Sequence, residues 1–135
     1  MGHMEDHPSA SIEFQVTTDD TARALLSGDL DVLATPRLVA WLEAATCAAT
    51  HDALAPGQTT VGTGIVVDHV AASPIGAWVV VSAVLTRSEG RRLAFDVRAR
   101  DRDSGDVLGG GVITRAVVDR EGFMARLDSR HAPGV

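Results

Sequence analysis

Cysteine is nearly absent: Cys47 is the one thiol in 135 residues, and one thiol cannot close an internal disulfide. The histidines His7, His51, His69 and His131 are scattered, with no H-x-x-x-H pair and no cysteine pair, so a metal site has no ligand set to draw on. No apolar run approaches the roughly 20 residues that span a bilayer, which argues against a membrane protein. No stretch shows the charged, apolar and small-residue phases of a signal peptide, so a reducing cytoplasm is the expected location. Positive charge is in deficit, 12 basic against 18 acidic residues for a net charge of -6, which excludes a general nucleic-acid binder that must neutralise phosphates. Neither repeats nor low-complexity tracts occur. Hydrophobic content of 45% with 22% charged residues is that of a globular chain, not a disordered one.

What is present fits one domain, expected over residues 11–127, with a flexible N-terminus over 1–10 and a frayed tail, DSRHAPGV, over 128–135. The opening MGHM reads as an expression-vector remnant, so His3 enters no functional argument. In SIEFQVTT (residues 11–18) Ile12, Phe14 and Val16 alternate with polar neighbours, the period of a half-buried strand. DDTARALLSGDLD then offers Asp19 or Asp20 as caps, a short helical turn and a break at Gly28, and reads as a mobile connection or lid. Thr35 as N-cap and Pro36 at the first helical position predict a helix running to about Thr50. Its only formal charges are Arg37 and Glu43, so it belongs inside the protein.

Four strand-like stretches follow, at roughly 59–70, 77–88, 92–102 and 106–119, joined by turn chemistry (SPIG, SEGR, DSGD) short enough for antiparallel neighbours. In the third, Leu93, Phe95, Val97 and Ala99 share one face and Ala94, Asp96, Arg98 and Arg100 the other. One helix and five strands in β-α-β-β-β-β order predict an α+β hotdog fold, a five-stranded antiparallel sheet wrapped around one central helix.

GTG at 62–64 and GGG at 109–111 do not extend to a nucleotide-binding pattern, and glycines in strands more often mark a bulge, a bend or a close backbone approach. Cys47 reads as a small buried hydrophobe. Arg91, Arg92, Arg98, Arg100 and Arg102 read as a solvated edge or, alternatively, an anion site. Glu43 is harder to explain. Its helical neighbours Val39, Ala40, Thr46 and Cys47 offer no cation, and a carboxylate in an apolar helix is costly unless it escapes to solvent or something uses it. Thr35 alone reads as a cap, and His69 as a polar residue closing a strand.

VLATPRLVAWLEAA followed by LAPGQTTVGTGIVVDHVAASPIG resembles the fluoroacetyl-CoA thioesterase family of single-hotdog proteins, and the likeness runs from about residue 12 to residue 126. The resemblance implies a catalytic set of Thr35, Glu43 and His69, at steps of 43 − 35 = 8 and 69 − 43 = 26. It casts the Gly62 backbone N–H as an oxyanion donor. It implies hydrolysis of an acyl-CoA. A lone hotdog leaves a sheet edge and a helix flank exposed, so a homodimer that buries them is expected, an arrangement in which Glu43 and His69 can come from different chains. Coenzyme A enters as part of the substrate, with no separate cofactor and no metal. Arg37, Arg98 and Arg100 become candidates for its phosphates. The family's alternatives, an enoyl-CoA hydratase or dehydratase and a non-catalytic acyl-CoA-binding module, stay open at this point. One departure is specific: the fluoroacetyl-specific enzyme carries phenylalanines in the lid before the helix, whereas SGDLDVLA has none, Phe14, Phe95 and Phe123 lying elsewhere. Small acyl-CoA hydrolysis without fluoroacetyl selectivity is therefore expected.

Overall fold

Pro36 in the first turn of a helix loses only an N–H that would be unpaired anyway, and from there apolar residues recur at helical spacing. The computed structural model, which describes residues 7–131, forms helix α1 over Thr35–Thr50. Leu38, Trp41, Leu42 and Ala45, at steps of three and four, are buried on one stripe. They pack on the inward residues Val79, Val81, Phe95, Val97 and Ile113. Leu38 and Leu42 are wholly buried, and each contributes roughly 1.5–3 kcal/mol of transfer free energy. Trp41 also stacks on Phe14, with ring centroids 4.7 Å apart, fastening the first strand to the helix.

The strands are β1 (Ser9–Gln15), β2 (Gln58–His69), β3 (Trp78–Glu89), β4 (Arg92–Asp101) and β5 (Val107–Asp119). They form one antiparallel sheet in the order β1-β3-β4-β5-β2, and α1 lies across its inner face. This is the expected hotdog arrangement, and β4 alternates as read, with Leu93, Phe95, Val97 and Ala99 buried. The glycine triplet marks a close approach of backbones. A methyl on Gly110 would sit 2.7 Å from the Val97 carbonyl oxygen, and on Gly109 or Gly111 it would run into the carbonyls of Asp68 and Val66. None of the helices among the described residues is long and apolar enough to cross a membrane.

Several expectations are corrected. Helix α1 is not enclosed: one sheet offers one face, so Ala40, Cys47 and Ala48 on the opposite flank are exposed, and Cys47 is not a core residue. Strand β1 opens at Ser9, inside the stretch expected to be flexible. A second helix, α2 (Arg120–Arg130), follows β5 and contains residues 128–130 of the expected frayed tail; the Asp119 side chain caps it by accepting from Gly122 N at 2.8 Å. The MGHM stretch and residues 132–135 lie outside the described residues. Thr35 is not the N-cap; Ala34 takes that position, with no side-chain cap. The lid is anchored at both ends. It opens on a turn at Thr18–Asp20 capped by Thr17 and Asp20, and bridges join Thr21 to Leu33 and Val32 to Pro74.

Candidate active site

Freed from capping, the Thr35 hydroxyl lies 2.8 Å from His69 Nδ1. Two element ends create this contact: Thr35 is the first residue of α1, and His69, paired with Gly109 of β5, is the last of β2. The hydroxyl donates when Nδ1 is bare and accepts when Nδ1 carries the proton, so its rotor follows the ring's protonation. Partial burial holds the His69 pKa below its ordinary value of 6.5, with the Ala71 backbone pulling the other way. The ring is therefore neutral at neutral pH, and its Nε2 is buried without a hydrogen-bond partner among the described residues.

Glu43 is eight residues further along α1, about 12 Å at the helical rise. Its partner is a residue the sequence reading missed. Arg115, on β5, donates from Nη1 to Glu43 Oε2 at 3.1 Å; the two side chains are 8% and 35% exposed respectively. The guanidinium is itself fixed by two bonds to β2, Nε to Thr60 Oγ1 at 2.9 Å and Nη2 to the Thr60 carbonyl at 3.1 Å. Gly62 is paired with Arg115 in the sheet, and a Cβ there would stand 2.7 Å from Glu43 Oε2 and 3.4 Å from Arg115 Nη1. Only glycine lets the carboxylate rest against the β2 backbone. Oε2 is thus engaged, while Oε1 forms no hydrogen bond among the described residues.

The remaining candidates separate. The Arg37 guanidinium is taken up by the lid root, with Nε 3.0 Å from Asp20 Oδ1 and Nη2 donating to the Asp19 carbonyl at 3.4 Å. It ties the lid to the helix. Arg98 and Arg100 lie on the wet face of β4, along a trough of about 640 Å³ floored by Gly109, Gly110 and Gly111 and shared with Asp68 and Asp96. Arg102 lies over the Trp78 ring, 4.6 Å from its centroid. A second cavity, of about 350 Å³, opens beside Thr35 and His69 under the lid. Among the described residues no three His, Cys, Asp or Glu side chains cluster closely enough to hold a metal ion.

One chain therefore carries two separate groupings, Thr35 with His69 and Glu43 with Gly62 and Arg115. Residues 16–121 match the model of the fluoroacetyl-CoA-specific thioesterase family. The chain is 39% identical over 104 residues to a fluoroacetyl-CoA thioesterase from Streptantibioticus cattleyicolor, covering 77% of this chain and 73% of that protein. It superposes on a solved fluoroacetyl-CoA thioesterase at a TM-score of 0.85 and 34% identity, over 94% of this chain and 96% of the other. A structure of such an enzyme holding acetyl-CoA matches at 0.85 and 34% over 93% and 97%. A hot-dog-like protein from Thermanaerovibrio acidaminovorans shares the fold at 0.83 with 20% identity, over 98% of both chains.

Proposed function

The chain belongs to the fluoroacetyl-CoA-specific thioesterase family, and we propose that it hydrolyses small acyl-CoA thioesters with Thr35, Glu43 and His69 as the reacting set. The observation that carries this reading is the Glu43 carboxylate, held through one oxygen by a buried arginine and left with the other unengaged. That free oxygen attacks the thioester carbonyl or takes a proton from the water that does. In either route the carbonyl carbon exchanges its bond to sulfur for one to oxygen, and over the whole reaction one water supplies one oxygen and two protons, one to the acid and one to the thiol. The Gly62 N–H serves the developing oxyanion, and His69, neutral at rest and oriented by Thr35, relays to the leaving thiolate the proton that the water gives up. Turnover in ¹⁸O water and hydroxylamine trapping tell the routes apart: direct attack gives an anhydride that hydroxylamine intercepts at Glu43, and labels that carboxylate where water opens the anhydride on the Glu43 side, whereas general-base chemistry gives no trapped adduct and labels only the product. The lid segment 27–34 has no phenylalanine, so fluoroacetyl-CoA and acetyl-CoA react at similar rates in this reading. No cofactor beyond the coenzyme A of the substrate is required, and the enzyme works in the cytoplasm.

The active unit is a homodimer. Strand β2 ends the sheet, so its outer edge is unpaired over twelve residues, with Ile65 41% and Val66 74% exposed. A long apolar edge of this kind is an aggregation hazard unless covered. Antiparallel pairing of two β2 edges about an axis between Ile65 and Val66 sets His69 of one chain opposite Gly62 of the partner subunit. That brings the Thr35–His69 grouping of one chain to the Glu43–Gly62 grouping of the other. Mixing Glu43→Gln with His69→Asn tests this: a shared site recovers about a quarter of wild-type activity through heterodimers. Mixtures that stay inactive, or a monomer in sedimentation, contradict it. Arg98 and Arg100 meet the phosphates of coenzyme A, so their alanine variants raise KM more than they lower kcat. For the function as a whole the test is release of free thiol from a panel of acyl-CoA substrates. Hydration of an enoyl-CoA without thiol, or binding without turnover, contradicts the reading.

A further inference from the structure

Beside the Thr35–His69 pair the lid overhangs an open cleft of about 350 Å³, lined by Ala22, Leu30, Val32, Leu33 and Ala71 together with the polar Ser27 and Asp29. Three features make it a built pocket rather than a gap under a loose loop. Bridges fix the lid at Thr21–Leu33 and Val32–Pro74. Arg37 clamps its root through Asp20. The lid also sits down on the pocket floor at Gly28, where a Cβ would stand 3.1 Å from that of Ala22. No Phe, Tyr or Trp side chain lines the pocket, so the volume is left to a ligand. At about 30 Å³ for each water-sized group, it holds on the order of ten heavy atoms. An acetyl group brings one methyl to that space and leaves most of it unfilled.

We infer that this pocket takes an aliphatic acyl chain of about four to six carbons, an inference that rests on thioester hydrolysis at this site and specifies its substrate class. The remaining volume receives the thioester and the first atoms of the pantetheine arm. Each methylene placed in an apolar pocket is worth about tenfold or more in kcat/KM until the space is full, so preference climbs from acetyl and then drops when the chain outgrows the walls.

The experiment is thiol release from acetyl-, butyryl-, hexanoyl- and dodecanoyl-CoA by the full chain. The expected result is a kcat/KM for butyryl- or hexanoyl-CoA at least about tenfold above acetyl-CoA, with a fall at dodecanoyl. Val32→Phe, and Ala72→Phe as a second variant in the lining, lower the hexanoyl-to-acetyl ratio about tenfold or more; thermal unfolding reports whether each is folded. An optimum at acetyl-CoA, or a ratio that neither folded variant moves, overturns the inference and leaves the thioesterase reading standing. Absence of thiol from every member of the panel removes that reading and this one with it.

Discussion

Replacing Arg115 with methionine keeps most of the aliphatic stem and removes a guanidinium that makes three hydrogen bonds, one to Glu43 Oε2 at 3.1 Å and two to Thr60 at 2.9 and 3.1 Å. The guanidinium is buried, so its own desolvation cost disappears with it, which offsets part of the loss. Glu43 is 35% exposed and finds water when its partner goes, so the full penalty for an orphaned buried charge does not apply. What remains is the loss of one charge-assisted bond and two bonds to Thr60, a net destabilisation of about 1–3 kcal/mol. For a chain of this size that is a drop in Tm of about 3–12 °C. Catalysis suffers more, because a carboxylate displaced by even about 1 Å from its working position loses about a hundredfold in rate. The loss falls on kcat, with KM for acyl-CoA little changed, since Arg115 is a positioning residue on the far side of Glu43. Arg115→Lys restores charge without the planar fork and recovers only part of the rate. Steady-state thiol release and thermal unfolding measure both effects. An Arg115→Met protein with wild-type kcat would refute the claim that this ion pair aims the carboxylate.

Two further outcomes follow from the same geometry. Gly62→Ala pushes its methyl into the space of Glu43 Oε2, 2.7 Å away; because that atom ends a flexible side chain the fold yields cheaply, and kcat falls at least about tenfold with a Tm within a few degrees of wild type. A wild-type kcat in that variant contradicts the placement of the carboxylate against β2. The His69 pKa lies below 6.5 through burial, so the folded state binds fewer protons there than the unfolded chain, and this contribution to stability is present above pH 6.5 and lost as pH falls through the folded value. The acid limb of kcat/KM accordingly has its midpoint below 6.5, and His69→Asn removes both that limb and the matching part of the Tm decline; a limb that persists unchanged in His69→Asn assigns it to another group.

The five strands and their antiparallel sense were legible because each strand announces itself locally, but their order was not: the SPIG join reads as a turn between antiparallel neighbours, whereas β2 pairs with β5 and β3 with β1 and β4. Period-two alternation in residues 92–101, turn residues between strands, and a single helix with Pro36 at its start leave few arrangements. The second helix was missed because REGFMARLDSR buries none of its residues, and periodicity is a signal of burial. Cys47 and the flank of α1 were read as core since apolar composition does not tell which side of a helix meets the sheet. Arg115 was missed for a different reason. A search along one helix for a cation near Glu43 cannot see a strand residue 72 positions away. The parity of β5 held the signal: Ile113 and Arg115 fall on the same buried face, and an arginine in the inward phase of a strand requires an anion. Conversely, Thr35 and His69 each had a sufficient local explanation, a cap and a strand end, and only the fold brings them within 2.8 Å.

The most direct test is thiol release by Glu43→Gln on an acyl-CoA that the wild-type protein hydrolyses. Glutamine keeps the volume and an oxygen for Arg115 to donate to, so the fold loses only the difference between a charged and a neutral bond, about 1 kcal/mol. The carboxylate's capacity to attack or to accept a proton is gone, and kcat falls at least about a hundredfold with a cooperative thermal transition retained. A folded Glu43→Gln protein that releases thiol at the wild-type rate would show the carboxylate to be structural and contradict the account.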